Sequence, residues 1–220
     1  MDNFNLTTPS LNIIVGAQGL GKSHLIKMIM HKLRKKFDYG IVFTNTFFDN
    51  NPFPYIEDEY IHPEYNEKVL ENLMDIQAKL IGEGKKKSAF VIFDDCIDDD
   101  KEFSSPTLKR LTTQLRHYLT VIFSTQYCNA IPSRMRTNAM CVFMFHTDTK
   151  NSLEALYNSY GQAFETYNDF KKFILEKTSA KYNFIYYNKM QNDNSLENNY
   201  KVYRCPAKIP SFKIKFNNKL

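Results

Sequence analysis

Glycine is scarce in this 220-residue chain, seven in all, and tryptophan is absent. The four cysteines, Cys96, Cys128, Cys141 and Cys205, are scattered with no CxxC or ligand-like spacing. That argues against a disulfide scaffold or a thiolate metal site, and for reduced thiols in a cytosol-like compartment. No apolar run approaches the roughly 20 residues that a membrane-spanning helix needs, and no apolar signal segment opens the chain. The five histidines show no HExxH or other metal spacing, and no Ser/His/Asp arrangement stands out. Net charge is +5, a mild bias, although residues 181–220 carry eight Lys/Arg against Asp193 and Glu197. Such a tail suits a polyanionic partner and equally a solvated face. What remains is 43% apolar and 24% charged, ordinary for one α/β domain.

Against that scarcity, three of the seven glycines fall in one octet, Gly16-Ala17-Gln18-Gly19-Leu20-Gly21-Lys22-Ser23. The spacing GxxxxGK[ST] is that of a phosphate-cradling P-loop, in which successive backbone N–H groups face a polyphosphate. Lys22 then reaches the terminal phosphates of ATP, and the Ser23 hydroxyl ligates Mg²⁺. The context agrees. The apolar run Leu11 to Val15 reads as a buried parallel strand, and Leu25, Ile29 and Leu33 mark one face of a helix running to about Lys36. The cluster Lys32, Arg34, Lys35, Lys36 suits that helix's negative end, and Lys85 to Lys87 reads as a solvated turn.

Further strands are expected at Tyr39–Thr44, Ser88–Asp95, Thr120–Thr125 and Met140–Phe145. Helices are expected around Val69–Leu80 (stopped by Gly82), from Ser105-Pro106 with a stripe Leu108, Leu111, Leu115, from about Ser152 to Gly161, and from Thr166 to Glu176. Asn45 to Asn66 lacks periodicity, and a connection that long is more often functional than idle. Asn183–Lys189 and Tyr200–Cys205 read as a closing hairpin at one sheet edge, with Phe212 to Phe216 as a further short strand. The pattern predicts an α/β chain with a mostly parallel sheet covered on both faces, residues 1–180 forming the core and 181–220 a basic β extension of the same domain.

The third strand ends in Asp94-Asp95. An apolar strand ending in an acid is the second half of a P-loop ATPase: Asp94 serves the Mg²⁺ site, and Asp95 can polarise the attacking water as a general base. Gln126, at the end of the fourth strand, can reach the γ-phosphate or its water. Arg116, Arg134 and Arg136 are candidates for an arginine that a neighbouring subunit inserts to stabilise transition-state charge.

Taken together, the chain resembles the genome-packaging ATPases of double-stranded DNA viruses, the poxvirus A32-like branch of the FtsK–HerA superfamily. The likeness rests on the P-loop, Phe93-Asp94-Asp95, Leu115-Arg116-His117 leading into Val121 to Gln126, Ile131-Pro132, Arg136-Thr137-Asn138 and the strand Cys141 to Phe145. The resemblance implies a RecA-like, ASCE-type three-layer sandwich with a strand between the phosphate-loop strand and the acid strand. It also implies a pentameric or hexameric ring around double-stranded DNA held without sequence preference, ATP-driven translocation into a preformed capsid, and partners at a capsid, portal or membrane vertex. The site of action would be the host cytoplasm (the viral factory) or the virion. By position Arg116 matches the family's arginine finger, with Arg136 in reserve. The second acid in the family is often glutamate, so Asp95 sets its carboxylate one methylene shorter. A small P-loop kinase and a nucleotide-gated assembly protein are the alternative readings.

Overall fold

The computed structural model describes residues 4, 6–47, 51–97, 100–114, 118–189 and 195–216. Its frame is one eight-stranded sheet: β1 (Leu11–Val15), β2 (Tyr39–Thr44), β3 (Ile61–His62), β4 (Ala89–Asp94), β5 (Leu119–Thr125), β6 (Cys141–Met144), β7 (Asn183–Asn188) and β8 (Tyr200–Arg204). Across the sheet the order is β3-β2-β4-β5-β1-β6-β7-β8. The strands from β3 to β6 are parallel, whereas β7 and β8 close the far edge antiparallel. The expected intervening strand is therefore present, since β5 lies between the phosphate-loop strand β1 and the acid strand β4.

β1 is buried along its whole length because both faces of the sheet are covered. Side chains alternate along each strand, so Ile13, Val91 and Val121 join one core while Ile14, Ile92 and Ile122 join the other. The first core is closed by α2 (Glu67–Gly82), α3 (Asp100–Phe103), α4 (Pro106–Thr113), α5 (Ser133–Asn138), α6 (Lys150–Tyr160) and α7 (Tyr167–Lys177). The second is closed by α1 (Lys22–Leu33), by residues 53–61 and by the C-terminal segment through Ile214. Asn12, a polar residue inside β1, is tolerated because its Nδ2 donates to Ser10 Oγ at 2.9 Å and to Val121 O at 3.2 Å.

Several boundaries follow the expected caps. Ser105 accepts from Leu108 N with Pro106 at the first helical position, Thr166 accepts from Asp169 N, and Gly161 ends α6. Other expectations need correction. α4 stops at Thr113, and Leu115, assigned to its buried stripe, lies outside the described residues. The aperiodic stretch after β2 holds a 3₁₀ turn (Asp58–Tyr60) and the two-residue edge strand β3. Phe212 to Phe216 is not a strand. It lies over residues 54–60, with Ile214 N donating to Tyr55 O at 2.8 Å and Phe212 stacked on Tyr55 at 4.5 Å. Its alternation reflects packing against that loop rather than a ladder. Lys87 is more than a solvated lysine, since it pairs with Asp38 at 2.7 Å and ties the turn before β4 to the start of β2. A short helix, α8 (Leu196–Asn199), precedes β8.

Candidate active site

The loop between β1 and α1 is shaped by its glycines. Gly16 leaves β1 with its N–H donating to Thr125 O at 3.1 Å, and a Cβ there would lie 2.5 Å from Phe145 Cβ. Gly21 caps α1 at φ 106, a left-handed conformation that side chains avoid. α1 begins with no side-chain cap and no acidic residue in its first turn. Its first N–H groups therefore face outward beneath the exposed crest Ala17-Gln18-Gly19 and the half-buried Leu20.

Two consecutive loop residues are tied to two consecutive acids from a separate strand. Lys22, only 6% exposed, donates from Nζ to Gly16 O at 2.8 Å and pairs with Asp95 Oδ2 at 3.1 Å. Ser23 Oγ donates to Asp94 Oδ2 at 3.2 Å. Asp94 ends β4 on the α1 side of the sheet, in register with Thr44 and Ser124. Asp95 follows at φ 47, its N–H held by Ser124 O at 3.0 Å and its carbonyl by Asn45 Nδ2 at 3.1 Å. The two carboxylates thereby meet different loop residues, Asp94 meeting Ser23 and Asp95 meeting Lys22.

Burial pushes the Asp94 carboxyl above the ordinary carboxylate range. The neighbouring Asp95 charge adds to this, while Ser124, Ser23 and Lys22 oppose it. The folded-state pKa thus lies above the unfolded value. The charged form costs stability as pH rises past the unfolded value, and the full cost is present above the folded one. Asp94→Asn is accordingly expected to melt higher than the wild type at neutral pH in the absence of ligand. The advantage should vanish toward about pH 4, where an ordinary carboxyl protonates too. Thermal unfolding as a function of pH checks this, and a lower melting temperature at pH 7 would contradict it.

The residues fit a magnesium–nucleotide complex. Asp94 Oδ1 and Ser124 Oγ are both buried, and neither makes a well-formed hydrogen bond to another described residue, although the Ser124 hydroxyl is near enough to stabilise the Asp94 carboxylate. A buried carboxylate oxygen with spare acceptor capacity at such depth suits a cation or its water. Among the described residues no group of three or more His, Cys, Asp or Glu could hold a metal alone. A hard cation here would draw its remaining ligands from phosphate oxygens and water.

Gln126 follows β5 directly, next to the Thr125 carbonyl that anchors Gly16, and so starts beside the loop. Arg136 is engaged within its own subunit. Nε donates to Ser159 Oγ at 2.9 Å and Nη1 to the carbonyls of Cys128 and Ile131, while the Arg136 carbonyl accepts from Tyr160 OH. It fastens α5 to α6 and to the turn after β5. Arg134 donates to Phe103 O at 2.8 Å. Arg116 lies outside the described residues. Sequence reasoning missed Ser124. The signal was a hydroxyl near the end of an otherwise apolar strand, whose meaning depends on its register with Asp94.

The poxvirus A32 protein family model matches residues 2–163 of this sequence. The chain belongs to that family. Other relatives come from viruses as well. Protein 075L of Invertebrate iridescent virus 6 is 31% identical over 209 residues, covering 92% of this chain and 77% of its own length. Protein L437 of Acanthamoeba polyphaga mimivirus is 28% identical over 186 residues, covering 78% of this chain and 64% of its own. The fold is similar to that of the genome packaging NTPase B204 from Sulfolobus turreted icosahedral virus 2 in complex with AMPPCP (TM-score 0.68, 20% identity, 91% of this chain and all of that one). It is also similar to the pCW3 conjugation coupling protein TcpA with ATPγS (TM-score 0.61, 14% identity, 89% of this chain and 60% of that one). At these identities the structural likeness is one of fold: this member of the A32 family has the α/β fold of P-loop NTPases.

Proposed function

We propose that the chain is an ATP-hydrolysing motor that moves double-stranded DNA into a preformed viral capsid. The observation that carries the reading is the double tie of Lys22 to Asp95 and Ser23 to Asp94, which joins a phosphate loop to a pair of strand-end acids. Family membership and the likeness to a genome packaging NTPase support the packaging role.

In this reading the amides of Gly16 to Ser23 and the start of α1 receive the triphosphate. Ser23 and Asp94 hold magnesium, which supplies charge neutralisation along the phosphates. Lys22 leaves Gly16 O and Asp95 for phosphate oxygens, because a triphosphate offers more negative charge than one carboxylate. That exchange frees Asp95 to accept a proton from the water that attacks the γ-phosphorus, giving ADP and inorganic phosphate. Gln126 orients the water, and Arg116 from a second copy of the chain neutralises the transferring phosphoryl group. With Arg136 engaged inside its own subunit, Arg116 is the stronger candidate for that finger. The motor works in a pentameric or hexameric ring, in the viral factory or the virion, against a capsid or membrane vertex. Paired acids at the strand end favour water over a small-molecule acceptor.

ATP turnover with and without duplex DNA, alongside the oligomer mass, tests this. Turnover should rise with DNA of any sequence, and the effect should fade steeply with salt, as phosphate contacts do. Phosphoryl transfer to a small acceptor by a monomer indifferent to DNA would replace the motor with a kinase. Arg116→Ala is expected to poison wild-type subunits on mixing, suppressing turnover beyond simple dilution. Activity that merely averages would remove Arg116 from the site.

A further inference from the structure

The strand order gives the phosphate loop two distinct sides. The phosphate loop leaves β1, and β4, with the metal carboxylate, lies two strands to one side through β5. A triphosphate whose γ end faces Asp94 and Asp95 directs its nucleoside the other way, over β6 and β7. On that side, beyond Phe145 just after β6, Tyr182 stands in the turn between α7 and β7 and meets the loop at Gly21.

Tyr182 combines a strained backbone with an exposed ring. It has φ 69, a left-handed conformation that is an outlier for a bulky side chain. It is nonetheless held firmly: Cys205 N donates to its carbonyl at 3.0 Å, and Asn183 N closes the turn on Ala180 O at 3.0 Å. The ring rests on the phosphate loop, since a Cβ at Gly21 would lie 2.8 Å from Tyr182 Cδ1, yet the residue is 37% exposed. The Lys181 ammonium covers the ring at 5.1 Å from its centroid, a contact that a flat aromatic ligand could replace. A strained backbone displaying a half-exposed aromatic against a ligand loop fits a binding role better than a packing one.

We propose that Tyr182 is the platform on which the nucleobase of the bound nucleotide stacks. The inference rests on the nucleotide site assigned above and adds the residue that recognises the base rather than the phosphates.

The test is calorimetric titration of the full chain with two probes in the presence of Mg²⁺, AMPPCP and inorganic tripolyphosphate. Tyr182→Ala should weaken AMPPCP binding about tenfold, within what base–aromatic stacking contributes, and leave tripolyphosphate unchanged. Tyr182→Phe, which keeps the ring, should bind both as the wild type does. Equal weakening of the two ligands would overturn the proposal, because Tyr182 would then only support the loop. Unchanged AMPPCP binding in Tyr182→Ala would overturn it as well. Wild-type chain that takes up neither probe would refute the nucleotide site itself, and the base platform with it.

Discussion

Lys22→Ala is expected to abolish ATP turnover and to weaken AMPPCP binding about 100-fold or more, the scale of truncating one partner of a buried charged contact. The ammonium is held against the loop at Gly16 O, and its side chain is almost wholly buried. It bridges Gly16 O and Asp95. Its removal costs the loop an internal tie as well as a phosphate contact, so thermal unfolding must accompany the binding measurement. A folded variant that still hydrolyses ATP at the wild-type rate would refute the assignment of this loop as the nucleotide site.

Asp95→Asn separates binding from chemistry. Hydrolysis should fall about 100-fold or more, the usual contribution of a positioned general base. AMPPCP should bind at least as tightly as to the wild type. Asp95 pairs with Lys22, and its charge would repel an incoming triphosphate; asparagine removes both the pairing and the repulsion. Asparagine also tolerates the left-handed backbone at this position, so the turn after β4 should survive. Single-turnover phosphate release and equilibrium titration give the two numbers. Hydrolysis at the wild-type rate would leave Asp95 as a latch for Lys22 and support a nucleotide-gated assembly protein instead.

Much of this site was legible in the sequence because its chemistry is local. The octet from Gly16 to Ser23, the apolar strand before it and the helix after it occupy consecutive residues, and Phe93-Asp94-Asp95 is equally compact. The strands were legible for a related reason: those buried on both faces, such as Leu11–Val15 and Ala89–Asp94, read as short, predominantly apolar runs. What escaped depends on register and long-range packing. Ser124 matters only because it pairs across the sheet with Asp94. Tyr182 stands out only when its backbone angle and its contact with Gly21 are seen, 161 residues away along the chain. The alternation of Phe212, Ile214 and Phe216 carried a genuine period-two signal, but the partner was the loop around Tyr55 rather than a strand. β3 is too short for any periodicity to announce it.

The central claim is that the loop amides grip a triphosphate whose magnesium is anchored on Asp94. A crystal structure of the chain with AMPPCP and Mg²⁺ tests it most directly. The account predicts phosphates seated in the loop from Gly16 to Ser23, the ion between them and Asp94, and Lys22 Nζ moved from Asp95 onto a phosphate oxygen. Nucleotide bound elsewhere, or a loop left empty with Lys22 still on Asp95, would contradict it.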